Sequence, residues 1–213
     1  MVYFLKINVY LPAQTTLLTK QKRIMKKLFV IAAAILSFSM ANAQIAAYAG
    51  FQSITQTAKA DGHSHSESFS GFILGGAMNF DISNGIGVQP GVELTTSSRA
   101  EHGDKYSEIG IRIPVDINYG FEIAPDFKLF VFAGPSIFVG LSNKYKYDDD
   151  SIDLYKDDYS RFGLGLSTGA WCDWKDMLRL KLGYDLGLSD RYKRDSDISV
   201  KGNAFMVTVG YLF

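Results

Sequence analysis

From residue 178 to residue 189 apolar and polar positions alternate without interruption. Leu178, Leu180, Leu182, Tyr184, Leu186 and Leu188 take the even places, and Arg179, Lys181, Gly183, Asp185, Gly187 and Ser189 the odd ones. Successive side chains of a strand point to opposite faces, so this segment has one face that is wholly apolar and one that is polar or very small. Residues 107–123 repeat the pattern, with Ile109, Ile111, Ile113, Val115, Ile117, Tyr119 and Phe121 on one side. Glu108, Gly110, Arg112, Pro114, Asp116, Asn118 and Glu122 lie on the other. The chain ends on "NAFMVTVGYLF", where Phe205, Val207, Val209, Tyr211 and Phe213 form a third apolar face. Strands this long are unusual in a soluble sheet. After Gln44 there is no helical periodicity and no apolar run long enough for a membrane helix.

The alternation predicts eight strands, near 44–56, 68–82, 86–98, 106–123, 128–142, 161–174, 178–190 and 203–213. The links between them alternate in length. "ISNG", "APDF" and "KDM" make the second, fourth and sixth tight, and the others are longer and polar. This asymmetry predicts an all-β fold, an eight-stranded antiparallel up-and-down transmembrane β-barrel with short periplasmic turns and longer extracellular loops. Hydrocarbon supplies no hydrogen-bond partner to a backbone, so the last strand is expected to pair with the first.

The charge distribution supports export. The formal net charge is zero, but residues 1–43 hold Lys6, Lys20, Lys22, Arg23, Lys26 and Lys27 and no acid. Residues 44–213 then carry 16 basic against 22 acidic side chains, a balance that excludes a nucleic-acid partner. Met25-Lys26-Lys27, the run "LFVIAAAILSFSM" and the "ANAQ" site read as a secretory signal peptide over residues 25–43. Residues 1–24 read as an over-long start, and residues 44–213 as the barrel domain. Cys172 is the single cysteine, so no intrachain disulfide forms.

The segments "IRIPVDINYGFEI", "KLFVFAGPSIFVGLSNK", "FGLGLSTGAWCDW", "LRLKLGYDLGLSDRYK" and "VTVGYLF" resemble the outer-membrane β-barrel domain family, the PorT-like or porin-family proteins of diderm bacteria. The Ile113-Pro114 pair and the Ala133–Pro135 run carry the likeness, which covers nearly all of residues 44–213. It implies an architecture and no catalytic residue. The ending also resembles the C-terminal aromatic signal of such barrels, which implies the outer-membrane assembly machinery as a partner of the last strand.

Eight strands enclose a space about wide enough for side chains alone. With the tight turns centred near 84, 125 and 176, Glu122 falls opposite Lys128, Asp173 opposite Arg179, and Trp171 opposite Lys181. Glu93 falls opposite or diagonal to Arg112, with Asp116 as a further partner. The expected lumen network is Glu93, Glu108, Arg112, Asp116 and Glu122 with Lys128, Asp173, Arg179, Lys181 and Asp185. Phe130, Phe132 and Phe138 face inward beside Gly134 and Gly140, which favours a packed plug over an open pore. Tyr119, Phe121, Trp174, Tyr211 and Phe213 are expected to form an aromatic girdle at the periplasmic interface.

Candidate chemistry at the outer rim is sparse. His63, His65 and His102 fall in predicted outer loops, where small lipid-modifying barrels keep catalytic histidines, but no nucleophile elbow, phosphate loop or cysteine cluster accompanies them. The fifth link carries Asp148, Asp149, Asp150, Asp153, Asp157 and Asp158 among four tyrosines. Carboxylates at this density suit either a solvated loop or Ca²⁺, although the spacing does not fit an EF-hand. The reading is a non-enzymatic barrel with no metal and no cofactor. Its role is structural or interaction-based through the outer loops, with a narrow porin-like channel as the alternative. Its partners are outer-membrane lipid, the assembly machinery and an extracellular or envelope protein. The leader yields a direct prediction: N-terminal sequencing of the exported protein should begin at Gln44, and a start at Met1 or Met25 would refute the cleavage site.

Overall fold

The computed structural model describes residues 43–60, 63–101, 104–147, 150–157, 159–192 and 199–213. The expected leader lies outside the described residues apart from Ala43, which opens the first strand. The strands are β1 (Ala43–Ala60), β2 (His63–Ser83), β3 (Ile86–Glu101), β4 (Asp104–Ala124), β5 (Phe127–Tyr147), β6 (Asp150–Asp153), β7 (Phe162–Trp174), β8 (Leu178–Gly187) and β9 (Ser199–Leu212). One helical turn, α1 (Leu154–Asp157), follows β6.

Every strand of the ring pairs antiparallel with its neighbours, and the ring runs β1, β2, β3, β4, β5, β7, β8, β9 and back to β1. The closing seam extends from Ala46↔Leu212 to Lys59↔Ser199. At its inner end the Phe213 N–H donates to the Ile45 carbonyl at 2.9 Å, so the terminal aromatic is tied into the sheet. The tight links follow from residues that tolerate a left-handed backbone. Asn84 and Gly85 both have positive φ, 51° and 81°, the conformation a two-residue hairpin turn requires. Asp126, Lys175 and Asp176 supply it at the other two turns.

The sequence's eight segments correspond to β1–β5 and β7–β9, but the structure extends most of them at the outer rim. β2, β4 and β5 each have 21 residues, whereas about 9 to 11 tilted residues cross the hydrocarbon. Tight turns pin the inner rim, so the surplus projects outward as hairpin. Ser and Thr positions there continue the ladder without the apolar alternation that marks a strand in the sequence. β6 and α1 went unpredicted for the same reason: they lie within a polar link that has no apolar alternation. Conversely, β8 ends at Gly187 instead of 190, because Ser189 and Asp190 turn to hydrogen-bond neighbouring strands.

The two faces separate cleanly. The apolar sets of β4, β8 and β9 all lie on the outside of the ring, exposed except for half-buried Ile111 and Val207. The inside interlocks large side chains with small ones. A Cβ on Gly110 would lie 2.3 Å from the Phe138 ring, and one on Gly120 would lie 2.2 Å from Phe130, so these aromatics occupy space that only glycine leaves. The facing predicts a sharp contrast between neighbours. Leu182→Arg, mid-strand on the outer face, should cost about 2 to 4 kcal/mol in a lipid-vesicle folding titration. Gly183→Ser should cost far less, since a Cβ there crowds only the flexible end of Met206, at 3.2 Å, and meets Phe132 at an ordinary 3.6 Å. Equal losses would overturn the facing.

Candidate functional site

The lumen is filled in layers, each built from inward positions that the alternation supplies. Nearest the tight turns, Asp173 on β7 and Arg179 on β8 are directly paired and joined by two hydrogen bonds of 2.7 Å. The Arg179 guanidinium also donates to Gln89 at 3.1 Å and lies 4.6 Å over the Trp171 ring. Trp171 in turn stacks on Phe130 at 5.0 Å. Above this layer the Lys181 ammonium donates to Asp116 at 2.8 Å and sits 4.1 Å over Phe132.

The next layer holds Glu93 and Arg112, which the register places directly opposite each other. Arg112 Nε donates to Glu93 Oε2 at 2.6 Å, and Arg112 Nη2 donates to the same oxygen. Tyr48 donates to Glu93 Oε1 at 2.8 Å. Arg112 Nη1 lies 3.7 Å from Asp185, whose Oδ2 also accepts from Ser136 and Ser167 at 2.6 and 2.8 Å. Buried charges are tolerable only when paired and hydrogen-bonded, and each acid of these layers has a basic partner.

A fourth cluster caps the lumen from outside. Arg191, in the link after β8, reaches across the mouth to Glu108 on β4 and lies 4.6 Å over Phe138. Tyr155 of α1 packs into the space left by Gly140 and donates to Glu108 as well. Burial and then the Glu108 carboxylate raise the Tyr155 hydroxyl above its ordinary range, so it remains a donor. For Arg191, burial acts in the opposite sense and Glu108 outweighs it, holding the guanidinium charged. Between this cap and the Arg112 layer lies a cavity of about 90 Å³ lined by Gln52, Thr95, Ser136, Asp185 and Arg191 among others. A vestibule of about 600 Å³ opens at the inner end, and one of about 370 Å³ at the outer end.

Eight of the ten residues expected in the lumen network therefore stand in these layers. Glu122 and Lys128 do not. They are paired in register, but Glu122 is exposed and Lys128 donates to Asp176 at 3.0 and 3.1 Å. Both sit at the inner rim one step from the turn, where water reaches them and the next hairpin offers a closer acid. Asp116 serves Lys181 instead of Arg112, because Asp185 approaches Arg112 from across the lumen. The sequence missed Tyr48, Gln89, Tyr155 and Arg191. Tyr48 and Gln89 were legible, since each falls on the inward set of its strand. Tyr155 and Arg191 sit in polar links where no period tells which side chain turns inward.

The five girdle aromatics are all exposed at the rim of the tight turns. Tyr119 lies 6.1 Å from Phe121, and Tyr211 lies 5.0 Å from Phe213. Phe127 joins Trp174 at 6.4 Å. His63 and His65 belong to the outer extension of β2 and not to a loop, and His65 lies 3.4 Å from Glu67. His102, Asp148, Asp149 and Asp158 lie outside the described residues, as do the side chains of Asp150 and Asp157. Asp153 accepts the Tyr155 N–H at 3.0 Å. Among the described residues no cluster of three or more metal-ligating side chains forms.

The chain belongs to the outer membrane protein beta-barrel domain family, which it matches over residues 29–213. A comparison with curated proteins finds no match. Among solved structures it is similar to Ail, the attachment invasion locus protein of Yersinia pestis, at 16% identity and a TM-score of 0.44, covering 80% of this chain and 99% of that one. It is also similar to the outer membrane protein OprG of Pseudomonas aeruginosa, at 13% identity and a TM-score of 0.48, covering 80% and 95%. The outer membrane protease OmpT of Escherichia coli is a third, at 10% identity and a TM-score of 0.41, covering 82% and 98%.

The Arg112 layer predicts that removing one partner hurts more than removing two. Arg112→Met alone leaves Glu93 and Asp185 without their cation and should cost roughly 3 to 5 kcal/mol. Adding Glu93→Gln should recover part of that loss, because the amide needs no counter-charge. A double-mutant cycle in vesicles without coupling would show that the pair acts independently.

Proposed function

We propose that this outer-membrane barrel is a closed, non-enzymatic element of the cell envelope that acts through its extracellular loops. One observation carries the reading: the middle of the lumen is solid. Trp171, Glu93, Asp116 and Asp173 are each at most 2% exposed, and they stand in successive layers joined by charged hydrogen bonds. A passage for solute would require those layers to part, breaking several buried ion pairs at once. The outer end is built differently. Three hairpins continue well past the apolar belt, and the β5–β7 link bears tyrosines beside aspartates, residues that supply contact area and polar recognition.

On this reading the chain is exported through a cleaved signal peptide and is inserted by the assembly machinery, which meets the C-terminal strand ending at Phe213. Lipid surrounds the belt, and an envelope or extracellular protein engages the loops. The alternative, a narrow channel, draws support from the vestibules of about 600 and 370 Å³ at the two ends. Planar-bilayer recording separates them. The wild-type protein should pass no steady current, and Trp171→Gly, which removes the ring between Phe130 and Arg179, should leak. Steady wild-type conductance would establish the channel. Altered lipid A mass in expressing cells, abolished by His102→Ala, would establish a lipid-modifying enzyme instead.

A further inference from the structure

The outward face of β4 is apolar from Phe121 to Ile109 and then changes character. Beyond Ile109 the next two outward positions are Ser107 and Lys105. On β5 the apolar face ends at Leu141, and Lys144 and Lys146 follow on the same side. The register pairs Ser107 with Lys144 and Lys105 with Lys146. Two ammonium groups thus stand directly opposite each other, with a third one pair below. Like charges in that relation destabilise a sheet. All three lysines are exposed, and none makes a hydrogen bond or ion pair with another of the described residues. The acid opposite Lys144 on β6 is Asp153, whose Oδ1 already accepts the Tyr155 N–H. Asp104 turns inward, where Tyr145 binds it.

The arrangement is confined to one flank. Outward positions above the belt on β1 to β3 are hydroxyl residues, among them Ser53, Thr55, Ser68, Ser70 and Ser98, up to Lys59 at the tip of β1. The height of the lysines is equally specific. Lys144 pairs one outward step, about 7 Å along the strand, beyond Ile109, the last apolar residue of the outward face of β4. At that height the hydrocarbon gives way to headgroups, and lysine stems can lie along apolar surface with their charges raised.

We infer that Lys105, Lys144 and Lys146 form a binding site for the phosphate of an outer-leaflet lipid. A phosphate placed between the three ammonium groups relieves the repulsion that the register imposes and gives Lys105 and Lys146 a counter-charge, which Asp153 offers at Lys144 alone. A water-borne acidic protein is the poorer occupant, because the sequence beyond the outer ends of β4 and β5 carries Glu101, Asp148, Asp149 and Asp150, which would repel it. The site does not depend on what occupies the loops.

The test uses the full mature chain folded in detergent, with lipid A carrying its phosphates and dephosphorylated lipid A as probes, read by native mass spectrometry. The wild-type protein should retain the phosphorylated lipid and not the dephosphorylated one. An anionic contact near a surface contributes roughly a fivefold factor per lysine, so the triple Lys105→Gln, Lys144→Gln, Lys146→Gln variant should lose retention by tenfold or more. Lys59→Gln with Lys201→Gln, on the β1–β9 seam where Lys201 lies near Asp190, should leave retention unchanged. Heat-modified gel mobility reports folding, and Lys146→Gln alone should show a partial loss if the triple variant does not fold. Equal retention by a folded triple variant would overturn the inference, as would equal binding of the dephosphorylated lipid. Displacement by millimolar inorganic phosphate would also overturn it, marking a free-anion site.

Discussion

Every feature of this molecule depends on one constraint, that a backbone within hydrocarbon must find all its hydrogen-bond partners in itself. A sheet meets that requirement only by closing. The seam between β1 and β9 is therefore a full ladder, from Ala46↔Leu212 to Lys59↔Ser199, and the chain's last residues are strand where an unrestrained terminus would fray. Closure with eight strands then fixes the bore, and tight turns fix one rim. Any excess of strand length has to appear at the other rim, which is where β1 to β5 carry it.

A fixed bore of this size leaves a choice about filling. An apolar filling would cost less desolvation than ion pairs, since buried pairs rarely beat well-packed hydrophobic groups. It would also make both faces of every strand apolar. In lipid a strand slipped by one residue would then be nearly as good as the correct one, because a slip exchanges the faces. The pairs Asp173–Arg179, Asp116–Lys181 and Glu93–Arg112 remove that degeneracy. A slip would drive each of these charges into hydrocarbon. The cations also lie over Trp171 and Phe132, so the aromatic filling and the charged filling share the same space. Specificity of register is what the polar lumen supplies.

This explains what the sequence could and could not disclose. Period-two alternation is a consequence of two solvents meeting at one sheet, so it was legible wherever lipid lies outside and the plug lies inside. Facing, strand order, the tight turns and the Glu93–Arg112 and Asp173–Arg179 pairings all follow from it. It fails wherever the two solvents become one. Beyond Ile109, Leu141 and Phe205 headgroups and then water meet the hairpins from outside, the Ser and Thr positions read as loop, and the extensions of β2 and β5 were underestimated. The same loss hid Arg191 and Tyr155, which turn inward from links with no period. At the inner rim, Glu122 and Lys128 kept their register but left the lumen, because pairing sets which residues are opposite and not how deep they lie.

The outer cap has a different physical character from the layers below it. Asp173, Asp116 and Glu93 are held by partners on strands of the ring, so separating them means opening the barrel. Glu108 is held by Arg191 and Tyr155, which arrive from two links outside the ring. Those links are themselves joined, by the Tyr159–Tyr192 bridge and by the Ser160 N–H donating to Arg191. The two links and Glu108 form one connected cluster, and a small cavity lies between it and the Arg112 layer. The barrel thus holds its cap with residues from the links at the end opposite the tight turns, and its membrane-spanning layers with residues of the ring itself.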